Sequence, residues 1–313
     1  MGISHYIKEI GRGTRGAKAL TRAQAADLMG QVLDGQVSDL ELGAFCAAMR
    51  IKGETAEEMC GFVDAARERI ALIPANPADL PLVVLPSYNG ARRLPVLTPL
   101  LALLLARRGL PVLLHGMATE DGRVQASEVL RALGTPALAA PAAIAPGTVA
   151  HLPTTALHPG LARLLEVRRH IGLRSSGHSL VKLLMPTQGA ALLVSSYTHA
   201  DYFALMGECC AALALNALLS RGLEGESAAD PRRQPRYDAW LQGSHQLLAE
   251  QVPGTADEVP GLPAAIDAAS TAAYTRQVLD GQLPVPAALA QQVEHITGLC
   301  RRLRQQLQTE DIQ

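Results

Sequence analysis

Residues 80–134 read LPLVVLPSYNGARRLPVLTPLLALLLARRGLPVLLHGMATEDGRVQASEVLRALG, and their reading decides the fold. Leu82–Leu85 is a short apolar run between Pro81 and Pro86, which predicts a buried strand. Ser87-Tyr88-Asn89-Gly90 follows as a turn, because Asn and Gly tolerate left-handed backbone angles. Val96–Ala106 is apolar nearly all round, the pattern of a helix inside a core. It falls short of the roughly 20 apolar residues that a membrane span needs. Arg107-Arg108-Gly109 ends the helix with cations at its negative pole and a Gly stop. Pro111–Leu114 reads as the next strand, with His115-Gly116 just past its end. The unit is a βαβα crossover whose two loops share the strand-end edge, where parallel sheets bind ligands.

Upstream, Thr21, Ser38 and Thr55 each stand before an apolar-periodic stretch. They predict helices over Ala23–Leu33, Asp39–Ile51 and Thr55 to about Arg69, the last with Glu58 at capping-box spacing. Three such helices on short turns make a small bundle, with Leu28, Val32, Leu42, Phe45 and Met49 as its apolar stripes. The division expected is a helical domain over 1–72, with part of 158–186 packed on it, and an α/β domain over 73–313. Downstream, Thr135–Gly147 is an extended Ala/Pro-rich connection, and His158-Pro159 opens a helix to about His170. Ala190–Val194 and Asn216–Leu219 read as strands flanking a helix from Asp201 to Leu215. Helices over Ala264–Leu279 and Val285–Gln308 close the chain. VLDGQ occurs at Val32–Gln36 and again at Val278–Gln282, one helix stop used twice. The fold class is therefore α/β: a small N-terminal helical domain, then a larger domain with a central, mainly parallel sheet flanked by helices.

Composition agrees with a helix-rich α/β chain, at 48% hydrophobic and 3% aromatic. The net charge of −1 hides segregation: residues 1–22 carry five Lys/Arg against one Glu, and residues 129–200 six against one. Arg163, Arg168, Arg169, Arg174 and Lys182 form one basic cluster. Lys8, Arg12, Arg15 and Lys18, around the GRGTRG stretch, form another. Such clusters suit phosphate contacts without base preference, since each contact releases counterions. Five cysteines without CxxC spacing predict buried free thiols, and Met1–Arg22 lacks an apolar signal core; together these point to the cytoplasm. Ser195 and Ser196 near His199 lack the GxSxG elbow of a hydrolase, and the histidines of 151–199 lack metal-ligand spacing. No catalytic residue, cofactor or metal ligand is assigned.

The order strand, Gly loop, helix, strand, HG, helix, ALG resembles the anthranilate phosphoribosyltransferase and pyrimidine nucleoside phosphorylase family. MRIKGET at Met49–Thr55 and GLRSSGHSLVKLLMP at Gly172–Pro186 extend the resemblance. In that family a GTGGD loop cradles pyrophosphate, and a second loop reads KHGN. Here the first aligns with PSYNGARR, keeping only Gly90 of the glycines, and the second with LHGMA, keeping His115 and Gly116. Asn89, Gly90, His115, Gly116 and Arg174 are the family-equivalent ligand pocket, Arg174 standing where the family's arginine meets the aromatic acid. The family's magnesium-binding Asp-Glu pair reads here as Glu224-Gly225 or Gly225-Glu226; one carboxylate of the pair is gone either way, while Glu224 and Glu226 sit two apart, so the metal position is degenerate. PSYNGAR, LLHG, SSYTH and EGE with ADPRRQPR are similar to a narrower YbiB-like branch. That resemblance implies a homodimer, formed through the helical domain, that binds DNA with little sequence preference. The second reading is a phosphoribosyltransferase with an unknown aromatic substrate.

Overall fold

The computed structural model describes all residues except Met1, Thr14, Pro77, Asp79 and 311–313, and the side chain of Glu310. Four helices open the chain: α1 (Ser4–Ile10), α2 (Arg22–Leu33), α3 (Asp39–Lys52) and α4 (Ala56–Arg67). Thr21, Ser38 and Thr55 cap the last three, each in a reciprocal capping box with the Gln or Glu three residues on. Each cap contributes about 1 kcal/mol. Glu58 does more than cap. It is fully buried, accepts the Leu20 N–H at 2.9 Å and pairs with Lys52 at 2.6 Å, fastening the turn between α3 and α4.

β1 (Leu82–Ser87), α5 (Thr98–Arg107), β2 (Val112–Gly116) and α6 (Ala126–Ala132) follow as the sequence predicts. β2 runs two residues further than expected, so His115 and Gly116 lie inside the strand, paired with Pro86 and Ser87 of β1. Next come β3 (Val149–Pro153), α7 (Thr154–Leu157), α8 (Pro159–Ile171), α9 (Gly177–Leu180), β4 (Ala191–Tyr197), α10 (Ala200–Ala212) and β5 (Ala217–Arg221). The chain ends with β6 (Tyr237–Leu241), β7 (Ser244–Ala249), α11 (Ala268–Leu279) and α12 (Ala287–Glu310).

Among the described residues seven strands lie in the order β3-β2-β1-β4-β5-β6-β7; the first five are mutually parallel and β6 and β7 join antiparallel. Both faces of the central strands are apolar, as a covered parallel sheet requires. Leu82 and Val84 point into a core shared with the helical bundle, while Val83 and Leu85 point into a second core under α5, α6, α11 and α12. Helix α8 packs on α2 and α3, and α9 and α10 pack on α4. The five cysteines are free and buried. The bundle residues Leu28, Val32, Leu42, Phe45 and Met49 are all buried within the chain. Exposed instead on α3 are Leu40, at 84%, and Ile51, at 67%.

The hairpin β6–β7 is absent from the sequence reading. Its two-residue turn, Gln242-Gly243, has positive φ at both positions, the signature of a tight hairpin. YDAWL before it and SHQLLA after it lack a clean alternation on both strands, so periodicity does not announce the pair.

Candidate anion-binding edge

The ends of β1, β4 and β5 and the loops beyond them form the candidate site. After β1, the loop Tyr88–Arg93 turns its backbone N–H groups toward one another, with Gly90 at φ +60. In place of a ligand, this loop holds two carboxylates of the same chain. Glu226 Oε1 accepts the N–H of Asn89 and of Gly90, both at 2.9 Å. Its Oε2 accepts the Ser87 hydroxyl at 2.6 Å and the Thr98 hydroxyl at 3.0 Å. Glu224 Oε1 accepts the N–H of Arg92 at 3.0 Å and of Arg93 at 2.8 Å, and its Oε2 meets Arg123 at 3.2 Å. Asn89 donates its side-chain amide to the Glu224 carbonyl at 3.0 Å.

Glu226 is buried at 1% exposure, so its charge is balanced by these donors rather than by water. Gly225, at φ +85, lets the segment pass beneath Asn89; a Cβ there would collide with the Asn89 amide. Both carboxylates expected at the degenerate metal position are thus engaged by protein donors. Magnesium needs carboxylates free to enter its octahedral shell, and this donor set does not fit one.

His115 is fully buried beneath the loop. The Thr154 hydroxyl donates to the Tyr88 hydroxyl at 3.2 Å, which leaves the phenol proton for His115 Nδ1 at 2.8 Å. Burial, and then nearby His151, lowers His115 to about 3, so it stays neutral. Gly116 pairs with Ser87 in β1 and Pro153 in β3, and a Cβ there would strike the Ser87 carbonyl. The residues expected to form one pocket are therefore divided: Asn89 and Gly90 hold Glu226, His115 and Gly116 are structural, and Arg174 stands elsewhere.

Arg174 lines a recess of about 130 Å³ together with Arg50, His178, Lys182, His199 and Tyr202, between the helical bundle and the ends of β4 and α9. Among the described residues no Asp or Glu lines it. Arg174 has no carboxylate at ion-pair distance among the described residues. Burial, then the guanidinium groups of Arg168 and Arg123, lowers its pKa. Lys182 donates to the carbonyls of Ser196 at 3.0 Å and Gly225 at 2.9 Å, which leaves one of its three N–H bonds. Its pKa falls to about 8, through burial first and Arg174 next, against the pull of Glu226. His178, 6% exposed, accepts the Ser175 N–H on Nδ1 at 3.2 Å. Its proton therefore sits on Nε2, which has no acceptor among the described residues.

The α8 arginines of the expected basic cluster have carboxylate partners on α8 itself and on neighbouring elements. Arg163 pairs with Asp39 at 2.7 Å, Arg168 with Glu120 at 2.6 Å, and Arg169 with Asp121 and with Glu166 at 3.0 Å. These acids lie on other elements or one turn away, so a count along residues 129–200 misses most of them. Lys182 turns inward. Of the N-terminal cluster, Lys8, Arg12, Arg15 and Lys18 are exposed, but Glu9 serves both Arg12 at 2.6 Å and Lys18 at 3.8 Å. None of the four lines the recess. In the ADPRRQPR stretch, Arg232 pairs with Asp230, and Arg236 pairs with Asp238 just beyond it. The cations near the site without a carboxylate partner among the described residues are Arg50, Arg92, Arg93 and Arg221, all exposed; they come from three separate stretches of the chain, so no single cluster along the sequence marks them. Among the described residues no helix is long and apolar enough to cross a membrane.

Residues 4–70 match the helical bundle domain of a glycosyl transferase family. The chain is 38% identical to YbiB of Escherichia coli (strain K12), over 92% of this chain and 91% of that one. It is 30% identical to the anthranilate phosphoribosyltransferase of Leifsonia xyli subsp. xyli, over 84% of this chain and 76% of that one. Among solved structures, the anthranilate phosphoribosyltransferase of Thermus thermophilus superposes with a TM-score of 0.72 at 22% identity, covering 96% of this chain and 89% of that one. The Saccharomyces cerevisiae enzyme, in complex with PRPP and Mg, superposes with a TM-score of 0.70 at 14% identity, covering 96% and 88%. These two establish the shared fold.

Proposed function

The chain belongs to the YbiB-like, anthranilate phosphoribosyltransferase-like family, and on that phosphoribosyltransferase scaffold we propose a homodimer that binds nucleic acid through its phosphates instead of transferring phosphoribose. One observation carries this reading. The two acids at the strand-end edge, Glu224 and Glu226, are consumed by the loop after β1, while Arg50, Arg92, Arg93, Arg174 and Arg221 around them have no carboxylate partner among the described residues. The edge facing solvent is therefore cationic, although the chain as a whole carries −1. A guanidinium grips phosphate oxygens in pairs, and contacts to phosphate carry no base information.

Transfer from phosphoribosyl pyrophosphate needs donors free to meet the pyrophosphate as it leaves. Here the same donors are satisfied by Glu226 and Glu224, and a diphosphate would have to expel both. The second reading, transfer to an aromatic acceptor, draws on the Arg174 recess with Tyr197 and Tyr202 beside it and on the relatives that are anthranilate phosphoribosyltransferases. Two titrations separate the readings: duplex DNA by fluorescence anisotropy, and magnesium phosphoribosyl pyrophosphate by calorimetry. Salt-sensitive DNA binding with no heat from the second ligand is expected. Micromolar, magnesium-dependent binding of phosphoribosyl pyrophosphate with no DNA binding reverses the assignment.

A further inference from the structure

Building on the nucleic-acid reading, we propose that the Arg174 recess is a phosphomonoester site, receiving the terminal phosphate of a strand. The recess is built of donors. The Arg174 guanidinium has no carboxylate partner among the described residues, Lys182 keeps one N–H after serving two carbonyls, and His178 carries an unpartnered Nε2–H. With no Asp or Glu in the lining among the described residues, the group that completes these donors accepts only and carries negative charge. Of these donors His178 Nε2 is buried without an acceptor, and such a donor costs free energy until an occupant or a small shift supplies one.

Size and valence select a terminal phosphate. At about 130 Å³ the recess equals roughly four water volumes, room for a tetrahedral phosphate and its first attached atoms. An internal phosphodiester has only two free oxygens, and the strand must continue on both sides of it. A monoester offers three oxygens, matching a guanidinium fork, an ammonium and an imidazole. Ser175 and Ser179 supply further hydroxyls on the wall. Arg50 and Arg221, exposed nearby, would meet the following phosphates of the same strand.

The test is anisotropy of one labelled oligonucleotide carrying a 5′-phosphate, a 3′-phosphate or hydroxyl ends. One phosphorylated end is expected to bind about tenfold more tightly, the factor given by 1.4 kcal/mol. Inorganic phosphate and adenosine monophosphate should each abolish that gain, and His178→Phe should lose it while retaining the affinity for hydroxyl ends. Equal affinity for all three oligonucleotides, with no phosphate competition, overturns the site and leaves general nucleic-acid binding intact. If no oligonucleotide binds but inorganic phosphate or adenosine monophosphate does so in an Arg174-dependent way, the recess stands as a small-molecule phosphomonoester site and the nucleic-acid reading falls. Displacement by an aromatic carboxylate alone, without effect of phosphate, overturns the proposal in favour of an acceptor subsite.

Discussion

Gly90 donates its backbone N–H to the carboxylate of Glu226 at 2.9 Å, across 136 residues of sequence. The glycine is needed twice over: its φ is +60, and a Cβ would run into the Val124 carbonyl and the Gln125 side chain. The contact gives a catalytic-looking loop a permanent internal occupant. Its physical weight comes from burial, since four donors meet the Glu226 carboxylate where water does not.

Glu226→Ala strands two backbone N–H groups and two hydroxyls. Unsatisfied buried donors cost about 1–3 kcal/mol each, and water admitted to the vacated space recovers part of that. The expected loss is about 3 kcal/mol in urea unfolding, with Glu226→Gln losing less because its carbonyl still accepts. Equal stability of Glu226→Ala and the parent would remove the plug from any structural account.

Salt dependence locates the nucleic-acid contacts. The slope of log affinity against log salt should become shallower by about one for each phosphate contact removed. Replacing Arg92, Arg93 and Arg221 with Gln should flatten it for every duplex sequence alike. Replacing Arg168 and Arg169 should leave it unchanged, because both are paired with acids. The opposite pattern would return the interface to α8.

Acid sensitivity follows from the buried imidazoles. Burial lowers His115 and His178 to about 3 and His151 to about 4, against an ordinary 6.5. As pH falls below 6.5 the unfolded chain takes up protons that the folded chain refuses, so stability declines toward pH 3. His115 alone accounts for about 2 kcal/mol at pH 5. His115→Gln, which keeps an acceptor for Tyr88, should make the decline between pH 6.5 and 4 shallower; chemical denaturation at a series of pH values measures it. Lys182 acts at the other end. Its folded value of about 8 lies below the ordinary 10.5, so its contribution to stability rises with pH between those two values.

Assembly is tested at α3. Leu40 and Ile51 are the large exposed apolar side chains of the bundle, and a homodimer would cover them. Light scattering at micromolar concentration should give twice the 33.1 kDa chain mass, and Leu40→Asp with Ile51→Asp should return it to one. A monomeric parent chain refutes the dimer. Leu28, Val32, Leu42, Phe45 and Met49 cannot serve that interface, because the chain's own core already covers them.

The elements carrying strong local signals were legible in the sequence. Thr21, Ser38 and Thr55 start helices because a side-chain oxygen meets N–H groups only three residues away. The VLDGQ stops work twice because Gly35 and Gly281 both adopt left-handed φ. The plug was not legible. Glu226 and the loop it fills lie far apart along the chain, and no periodicity records which carboxylate meets which amide. The neutralisation of α8 was hidden for the same reason, since Asp39, Glu120 and Asp121 reach it only through the fold. The α8 residues Arg163, Arg168 and Arg169 therefore looked like a free surface when read along the chain.

The internal occupant also makes the loop and the Glu224–Glu226 segment one heritable unit. A loop change that withdraws an N–H leaves a buried carboxylate short of a donor, while loss of the carboxylate leaves donors without an acceptor. Either step alone lowers fitness through stability, and only paired changes pass freely. Contacting groups of this kind couple by about 0.5–3 kcal/mol in double-mutant cycles. Descendants of this chain should therefore vary residues 87–93 and 222–227 together, and recovery of an open diphosphate cradle would require crossing a valley of less stable intermediates.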